Sequence, residues 1–313
     1  MKTILCTTPI NHLINLKQEL KKYGRLIYKP NISKNQITKL LMVNKKIDFI
    51  FCNPNRQGYI LNQKILNNSS IKLINTASTG LNHINLNDCK KLGIKILSLT
   101  KDYKLLKKLP STSELSFGLM ICLLRNVLNS VNSVKKNKWD YLPFMGQEIS
   151  SLKLGLVGLG RLGKIMANYG KSFGMKVYFY DPYVKSNKFN KVSLKKLFQI
   201  SDVVSIHAHV NKKTKYLINK KLLMVSKKKL IIINTSRGEI VNERDIVWAL
   251  KNKKIYGYGA DVVENEFDNI KNSVIIKNMN KLNIMVTPHI GGMTIQGQQR
   301  AWNFAVQKFG KYL

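Results

Sequence analysis

The chain has 313 residues, 44% of them hydrophobic, and its 53 Lys and Arg residues against 16 Asp and Glu residues give a formal net charge of +37. This length and apolar content are sufficient for two domains that each bury a hydrophobic core. No stretch approaches the apolar length of a membrane span, so the sequence excludes a membrane-spanning helix and we expect no membrane partner.

The lysines that produce this charge are spread along the whole chain and are mixed with Asn and Ile. They do not cluster in one element, and no sequence motif of a nucleic-acid-binding module accompanies them. Codons for Lys, Asn and Ile are all rich in A and T, so we interpret the charge as the base composition of the gene. We therefore expect no nucleic-acid partner, although the excess charge would attract small anionic ligands.

The N-terminus and the cysteines indicate a cytoplasmic protein. The first residues, MKTILCTTPINHLIN, lack a small-residue cleavage pattern and are predicted to contain the first strand rather than a leader. Cys6, Cys52, Cys89 and Cys122 follow neither the spacing of metal ligands nor that of paired cysteines, so we expect no metal site and no disulfide. Cys6, Cys52 and Cys122 lie in apolar runs and are predicted to pack as small hydrophobic residues.

Short runs of aliphatic and aromatic residues alternate with segments of helical periodicity in the first part of the chain. The predicted strands there are KTILCTT, GRLIYK, IDFIFCN, IKLINTA and IKILSL, with helices in HLINLKQELKK and ITKLLMVN. This alternation predicts βα units around a parallel sheet. Residues 111–134 are then predicted to form one long helix, capped by a Ser or Thr near its start together with Glu114.

The same alternation resumes at residue 153. The predicted strands are KLGLVGL, KVYFYD, DVVSIHA, LIIINTS, YGYGADVV and NIMVTPHI, and a final helix is predicted in TIQGQQRAWNFAVQKFGKYL. The predicted fold class is therefore α/β, with two doubly wound parallel-sheet domains.

Three glycines mark a dinucleotide site. Gly158, Gly160 and Gly163 form a G-x-G-x-x-G motif between a predicted strand and a predicted helix, and the next strand ends in Asp181. Such glycines allow a tight turn, the approach of a pyrophosphate and close packing of helix against strand. A carboxylate at the end of the second strand accepts hydrogen bonds from the ribose hydroxyls and repels a 2′-phosphate, so the predicted cofactor is NAD rather than NADP.

Three later strands carry reactive side chains just beyond their ends. Arg237 follows LIIINTS, Asp261 and Glu266 follow YGYGA, and His289 follows NIMVTP. A guanidinium can bind a carboxylate through two hydrogen bonds, and an imidazole can move a hydroxyl proton near neutral pH. A neighbouring carboxylate can orient the imidazole, so this set suits the oxidation of a 2-hydroxy acid.

The chain resembles the D-isomer-specific 2-hydroxyacid dehydrogenase family over almost its whole length. The similar segments are STGLNHINL (78–86), GLVGLGRLGK (155–164), FGMKVYFYDP (173–182), HAHVNKKTKYLIN (207–219), INTSRGEIVNERDIVWAL (233–250), GADVVENE (259–266) and TPHIGGMT (287–294). The resemblance implies that Arg237 binds the substrate, that His289 is the acid/base and that Glu266 is its partner carboxylate. It also implies that the backbone around Ser78, Thr79 and Gly80 contacts the substrate carboxylate.

The resemblance further implies the cofactor contacts. Besides the three glycines and Asp181, the expected NAD-binding residues are Arg161 and Leu162 through their backbone, Asp261 toward the nicotinamide carboxamide, and Thr214, Thr235 and Ser236. The chain departs from the family at His209 and Phe267, where family members often carry Pro, at Asn85, where they carry Asp, and at Ser151, where they carry Gly. None of these departures removes a proposed catalytic group.

In domain terms, the resemblance implies a flavodoxin-like substrate domain of residues 1–100 and 291–313, a Rossmann NAD-binding domain of residues 101–290, and a homodimer. The predicted reaction is reversible hydride transfer between nicotinamide and C2 of a D-2-hydroxy or 2-oxo acid. The alternatives are a relative acting on formate or phosphite, against which Glu266 argues, a non-catalytic NAD-sensing protein on the same fold, and a basic nucleic-acid-binding protein.

Overall fold

The computed structural model describes residues 1–54, 57–266 and 270–313. It divides the chain into two units, the first formed by Met1–Leu109 with Met293–Leu313 and the second by Pro110–Gly292. The first boundary therefore falls after Leu109 rather than at the expected residue 100. The reason is packing, because Leu106 belongs to the same apolar core as Trp302, and Lys308 Nζ lies 2.8 Å from the Asp102 carboxylate.

Each predicted strand overlaps an observed one, although the predicted ends extend up to four residues beyond the observed ends, and a short strand, β8, was not predicted. In chain order the strands are β1 (Thr3–Cys6), β2 (Arg25–Tyr28), β3 (Phe49–Cys52), β4 (Leu73–Thr76), β5 (Lys95–Leu97), β6 (Lys153–Val157), β7 (Lys176–Tyr180), β8 (Asn190–Lys191), β9 (Val203–Ile206), β10 (Leu230–Asn234), β11 (Ile255–Ala260) and β12 (Ile284–Val286).

The helices lie between these strands, and the last helix follows β12. In chain order they are α1 (Leu16–Lys21), α2 (Lys34–Val43), α3 (Gln63–Leu66), α4 (Leu86–Lys91), α5 (Tyr103–Leu106), α6 (Ser111–Leu124), α7 (Val127–Val134), α8 (Arg161–Ser172), α9 (Leu194–Ile200), α10 (Lys220–Met224), α11 (Glu243–Lys251), α12 (Val274–Asn278) and α13 (Ile295–Tyr312).

The first unit is a parallel sheet with strand order β2-β1-β3-β4-β5. This is the strand order of a flavodoxin-like domain, which the resemblance to the family implied. Helix α13 buries Trp302, Val306 and Phe309 against one face of the sheet, where Phe309 makes edge-on contacts with Phe49 and Phe51. Burying an aromatic side chain of this kind contributes about 1.5–3 kcal/mol, so α13 is an integral part of this unit.

The second unit is a parallel sheet with strand order β12-β11-β10-β9-β6-β7-β8. The order reverses between β6 and β9, which is the point where open α/β sheets bind dinucleotides. Strand β10 is buried along its whole length, as expected for a central parallel strand covered by helices on both faces. The strand ends named by the sequence analysis therefore lie along the carboxyl edge of this sheet.

The predicted single helix over 111–134 is wrong in two respects. Helix α6 ends at Leu124 and α7 begins at Val127, because Asn126 adopts a left-handed conformation (φ 53°) and accepts a hydrogen bond from the Tyr256 hydroxyl. The predicted cap is also absent, since Pro110 occupies the N-cap position without a side-chain hydrogen bond. Asn and Asp tolerate the left-handed region better than other side chains, which explains the break.

The thiols of Cys6, Cys52 and Cys89 are buried, whereas that of Cys122 is half-buried, and all four are free. Burial raises the pKa of Cys6 to about 12 and that of Cys89 to about 11. Across the described ranges, no single helix has the length and apolar character needed to cross a membrane, although the bent pair of Tyr103–Leu124 and Val127–Val134 meets the criterion by length and composition alone.

Candidate active site

The glycine motif between β6 and α8 combines two glycines that packing requires with one that it does not. A Cβ atom on Gly158, whose φ is 95°, would lie 2.6 Å from the His207 carbonyl oxygen, and one on Gly163 would lie 2.2 Å from the Gly158 carbonyl oxygen. A Cβ atom on Gly160 would meet nothing within 4 Å. The fold therefore accounts for Gly158 and Gly163, whereas Gly160 borders open space in which a ligand could approach the backbone.

This open space lies at the start of α8. Gly160 is the N-cap of the helix and supplies no side-chain cap, and the first turn begins with Arg161 and Leu162. A helix N-terminus carries partial positive charge and directs N–H groups outward, which suits the pyrophosphate of a dinucleotide. The residues present therefore fit the predicted cofactor at this position.

Asp181 lies beside the same loop, directly after β7. One carboxylate oxygen accepts the N–H of Leu159 at 2.9 Å, and the other accepts those of Tyr183 at 2.9 Å and Val184 at 3.1 Å. These bonds fix the carboxylate against the glycine motif, where the sequence predicted that it would receive the ribose hydroxyls. They also show that Asp181 shapes the loop itself.

The three hydroxyl residues predicted to line the cofactor pocket all make internal hydrogen bonds. Thr214 Oγ1 donates to the carbonyl oxygen of His209 at 2.6 Å, and Ser236 Oγ donates to that of Ile206 at 2.8 Å. Thr235 Oγ1 lies 2.6 Å from Ser116 Oγ on α6. Each hydroxyl therefore holds a loop at the carboxyl edge of the sheet, and its contact with a cofactor stays a prediction.

Asp261, at the end of β11, is a buried carboxylate that organises the loop carrying His289. It is 1% exposed and accepts hydrogen bonds from Thr287 Oγ1 at 2.6 Å and from the N–H groups of Ile290 and Gly291, both at 2.7 Å. Burial raises the pKa of Asp261, and these hydrogen bonds oppose the rise. Donors on both sides of His289 thus converge on one carboxylate.

His289 and Glu266 are brought together as the sequence predicted. His289 Nδ1 lies 2.9 Å from Glu266 Oε1, and the side chain of His289 is 41% exposed against 15% for Glu266. The His289 backbone has a φ of 55°, an uncommon conformation for a residue with a side chain. The loop held by Asp261 maintains this conformation, and its side-chain exposure leaves the imidazole accessible to a ligand.

Arg237 follows β10 in a turn that the buried Asn234 side chain organises. Asn234 accepts the Ser236 N–H at 3.1 Å and donates to the Arg237 carbonyl oxygen at 2.9 Å. The guanidinium of Arg237 bonds to the carbonyl oxygen of Ser236, 2.6 Å away, and not to Glu266 or His289. Beside it, a Cβ atom on Gly238 would lie 2.1 Å from the carbonyl carbon of Val263, so the turn after β10 presses against the segment after β11.

In the first unit, the loop after β4 holds the residues predicted to contact a substrate carboxylate. The Ser78 hydroxyl donates to the carbonyl oxygen of Gly80, and the carbonyl oxygens of Ser78 and Thr79 accept hydrogen bonds from the Leu99 N–H and the Thr100 hydroxyl at 3.1 Å each. Internal bonds therefore fix the loop. Phe267, one of the departures from the family pattern, lies outside the described residues.

Comparison with known proteins identifies the family. Residues 117–291 match the family model described as the NAD binding domain of D-isomer specific 2-hydroxyacid dehydrogenase. The chain is also 32% identical over 248 residues to hydroxypyruvate reductase of Thermotoga maritima, an alignment that covers 78% of each protein. The chain belongs to the D-isomer-specific 2-hydroxyacid dehydrogenase family.

Two further comparisons agree with this D-2-hydroxyacid dehydrogenase assignment. The chain is 30% identical over 240 residues to D-specific alpha-keto acid dehydrogenase of Enterococcus faecium, which covers 74% of this chain and 72% of that protein. It superimposes on D-lactate dehydrogenase from Aquifex aeolicus, complexed with NAD and lactic acid, with a TM-score of 0.81, 26% identity and coverage of 99% and 95% of the two chains. These comparisons confirm four predictions: the family, the fold class, the activity as an NAD-dependent dehydrogenase, and NAD as the cofactor.

Two buried ionisable groups lie beside the site of this D-2-hydroxyacid dehydrogenase and were not predicted from the sequence. Glu243, the first residue of α11, accepts the N–H of Glu264 at 2.8 Å, and burial is the main cause that raises its pKa to about 7. His207, next to Gly158, bonds through Nε2 to Ser205 Oγ at 2.9 Å, and burial lowers its pKa to about 4. An acidic first turn and a histidine at a strand end were the available signals, and both have ordinary structural explanations.

Proposed function

We propose that this protein catalyses reversible hydride transfer between NAD and C2 of a D-2-hydroxy or 2-oxo acid, with His289 as acid/base, Glu266 as its partner carboxylate and Arg237 as the substrate carboxylate clamp. The observation that carries the proposal is the 2.9 Å contact between His289 Nδ1 and Glu266 Oε1, on a loop anchored by Asp261. Bound nicotinamide supplies or accepts the hydride. The remaining chemistry is a proton transfer and the binding of a carboxylate, which side chains perform.

His289 has the geometry required of an acid/base. Its Nδ1 faces Glu266, so in the protonated ring Nδ1 donates to the carboxylate and Nε2 is left to donate a proton to the C2 oxygen of a 2-oxo acid. A carboxylate at hydrogen-bond distance stabilises the protonated imidazole. In the oxidising direction the neutral ring accepts the hydroxyl proton at the same atom. General acid–base catalysis of this type contributes about 10²–10⁴-fold to a rate.

Arg237 supplies the charge that a carboxylate substrate requires. Among the described contacts, its guanidinium bonds only to the carbonyl oxygen of the neighbouring residue Ser236. The guanidinium therefore retains N–H donors for both oxygens of a substrate carboxylate. Backbone N–H groups at Thr79 and Gly80 stay predicted partners of the same carboxylate. The names of the relatives, which include reductases and dehydrogenases of 2-oxo and 2-hydroxy acids, support this substrate class.

The deciding experiment is NADH oxidation by the purified protein with a panel of 2-oxo acids: glyoxylate, pyruvate, hydroxypyruvate, 2-oxoglutarate, phosphohydroxypyruvate and a branched-chain 2-oxo acid. We expect the wild type to reduce at least one of these 2-oxo acids. In His289→Ala, kcat should fall by about 10²–10⁴-fold while the Kd for NADH is retained. In Arg237→Ala, the KM for the 2-oxo acid should rise. NADH binding without oxidation on any substrate would contradict the proposal and favour a cofactor-sensing protein.

A homodimer in the cytoplasm completes the proposal. Helix α7 buries none of its residues, and it continues into a segment that exposes large apolar side chains. The exposed residues are Val127, Leu128, Val131, Val134, Trp139, Tyr141, Leu142 and Met145. Monomers rarely expose an apolar surface of this extent, so we propose that a second copy covers it. Light scattering of the native protein and of Val131→Asp would report a dimer and a monomer, respectively.

The two units also take separate roles in this proposal. The second unit, Pro110–Gly292, carries the glycine motif and Asp181 and would bind NAD. The first unit carries the loop of residues 78–80 and would contact the 2-hydroxy or 2-oxo acid.

A further inference from the structure

The segment that carries Glu266 is anchored by hydrogen bonds to another carboxylate, that of Glu243. Glu243 is 3% exposed, and its Oε1 accepts the N–H of Glu264 at 2.8 Å. Its Oε2 accepts the Ser273 hydroxyl at 3.4 Å. Glu264 precedes Glu266 by two residues and Ser273 follows it by seven, so one buried side chain contacts the chain on both sides of Glu266.

Two further contacts act on the same segment. The Tyr216 hydroxyl donates to the Glu264 carboxylate, and Gly238 packs against the backbone of Val263 and Glu264. Neither contact can replace the one made by Glu243, because Tyr216 holds the Glu264 side chain and Gly238 offers only van der Waals contact. The N–H of Glu264 is fixed by Glu243 alone among the described hydrogen bonds.

Burial places the ionisation of Glu243 close to neutral pH. Burial raises its pKa to about 7, and the nearby carboxylates of Glu264 and Glu239 add to the rise, whereas the Glu264 N–H and the Ser273 hydroxyl oppose it. The phenols of Tyr216 and Tyr258 also lie near it. The hydrogen bond to Glu264 is the main cause that raises the pKa of Tyr216, burial is the main cause for Tyr258, and the charge of Glu243 adds to both. An ionised carboxylate accepts an N–H hydrogen bond about twice as strongly as a neutral acceptor, but the net rise of the pKa means that the cost of burying the charge is larger than this gain.

We propose that Glu243 is a positioning residue, which holds the turn at Glu264 through its hydrogen bond and thereby presents Glu266 to His289. The proposal rests on the proposed function for its kinetic consequence, but the order of the turn is a property of the protein alone. Because burial raises the pKa of Glu243, the packed turn favours the protonated carboxyl, and the turn loosens as Glu243 ionises. The protein thus carries an ionisation next to the site that modulates activity.

The test compares Glu243→Gln and Glu243→Ala with wild type, and with Glu114→Gln as a matched control that removes an exposed carboxylate from α6. Two quantities are measured between pH 5.5 and 8.5: kcat with the best 2-oxo acid, and the hydrogen-exchange protection factor of the Glu264 amide in the NADH complex. Gln keeps an acceptor oxygen but cannot titrate, so it is expected to fold even if Ala does not.

We expect the Glu264 protection factor in wild type and in the control to fall as pH increases through about 7, and to be independent of pH in Glu243→Gln. The kcat profile of Glu243→Gln should show one ionisation fewer than that of wild type between pH 5.5 and 8.5, because His289 is still present as the acid/base. Glu243→Ala should lose up to about 10²-fold in kcat, the order of loss that a misplaced catalytic group causes, with the Kd for NADH changed less than twofold.

A pH-independent protection factor in wild type, or superimposable profiles for wild type and Glu243→Gln, would overturn the positioning role. If wild type reduces none of the 2-oxo acids, the proposed function fails while the protection factor still decides the role of Glu243.

Discussion

His289 Nδ1 lies 2.9 Å from Glu266 Oε1, although the two residues belong to different loops and are separated by 23 positions in the chain. The pair forms because β11 and β12 are parallel neighbours, so their carboxyl ends meet at one edge of the sheet. Asp261 then fixes the loop after β12, and Glu243 fixes the segment after β11. The contact is thus the product of two independently anchored loops.

Removing the charge of Glu266 should slow the reaction without weakening cofactor binding. In Glu266→Gln the amide can still contact the imidazole, but it does not stabilise the protonated ring, so kcat for 2-oxo acid reduction should fall by about 10²-fold or more. Steady-state kinetics and fluorescence titration of NADH measure the two effects. Glu114→Gln is the control, and equal kcat values for Glu266→Gln and wild type would remove Glu266 from the mechanism.

Gly160 should be required for the cofactor rather than for folding. A methyl group at this position meets no protein atom within 4 Å, so Gly160→Ala should unfold at the wild-type temperature while its Kd for NADH rises tenfold or more, by about 1.4 kcal/mol. Gly163→Ala, whose Cβ would lie 2.2 Å from a backbone oxygen, should instead lower the unfolding temperature. Unchanged NADH binding in Gly160→Ala would place the pyrophosphate elsewhere.

Asp181 should decide between NADH and NADPH and also support its loop. In Asp181→Ser the repulsion of a 2′-phosphate disappears, so the ratio of kcat/KM for NADH to that for NADPH should fall toward one. Because the carboxylate accepts three backbone N–H groups, the variant should also lose about 1–3 kcal/mol of stability. Urea unfolding separates the two effects, and a stable variant with the wild-type cofactor ratio would contradict the ribose assignment.

The buried histidines should destabilise the protein in acid. Burial lowers the pKa of His83 and of His207 from 6.5 to about 4, so between these values the unfolded chain binds protons that the folded protein does not. Their contribution to stability is therefore present above about pH 6.5 and is lost as pH falls toward 4.

The check is the urea midpoint of wild type and His207→Gln at pH 7.5 and 5.0. The fall in midpoint on acidification should be smaller in the variant, whatever its stability at pH 7.5. An equal fall in the urea midpoint of the two proteins would show that protonation of His207 does not lower the stability of the folded protein. Glu243 affects stability in the opposite direction, because its pKa is raised from 4.5 to about 7 in the folded protein. Its contribution to the free energy of unfolding therefore declines as pH rises through that range.

Local patterns sufficed to predict the strands and to place His289 and a carboxylate at neighbouring strand ends, because a parallel sheet gathers the ends of its strands on one edge. The choice of Glu266 as the partner of His289 came from the resemblance to the family. The position of Asn126 was not predictable in the same way, since the helical periodicity of 111–134 continues through a residue that adopts a left-handed conformation. The boundary after Leu109 depends on α13, which is distant in the chain.

Glu243 shows why the supporting groups of the site were less accessible to prediction than its reactive ones. An acidic residue in the first turn of a helix is favoured by the helix dipole, so NERD at the start of α11 has a sufficient local explanation. Its burial and its bond to Glu264 arise only when α11 packs beside the end of β11. The same is true of Gly238, whose close approach to Val263 cannot be inferred from the glycine alone.

The return of α13 to the first unit has a consequence for synthesis on the ribosome. Trp302 and Phe309 complete the core over β3, yet they are translated after the whole of Pro110–Gly292. The second unit can therefore acquire its native packing while the first still exposes Phe49 and Phe51 to solvent and chaperones. A released chain that ends at residue 292 should accordingly be protease-resistant in residues 110–292 and sensitive in residues 1–109.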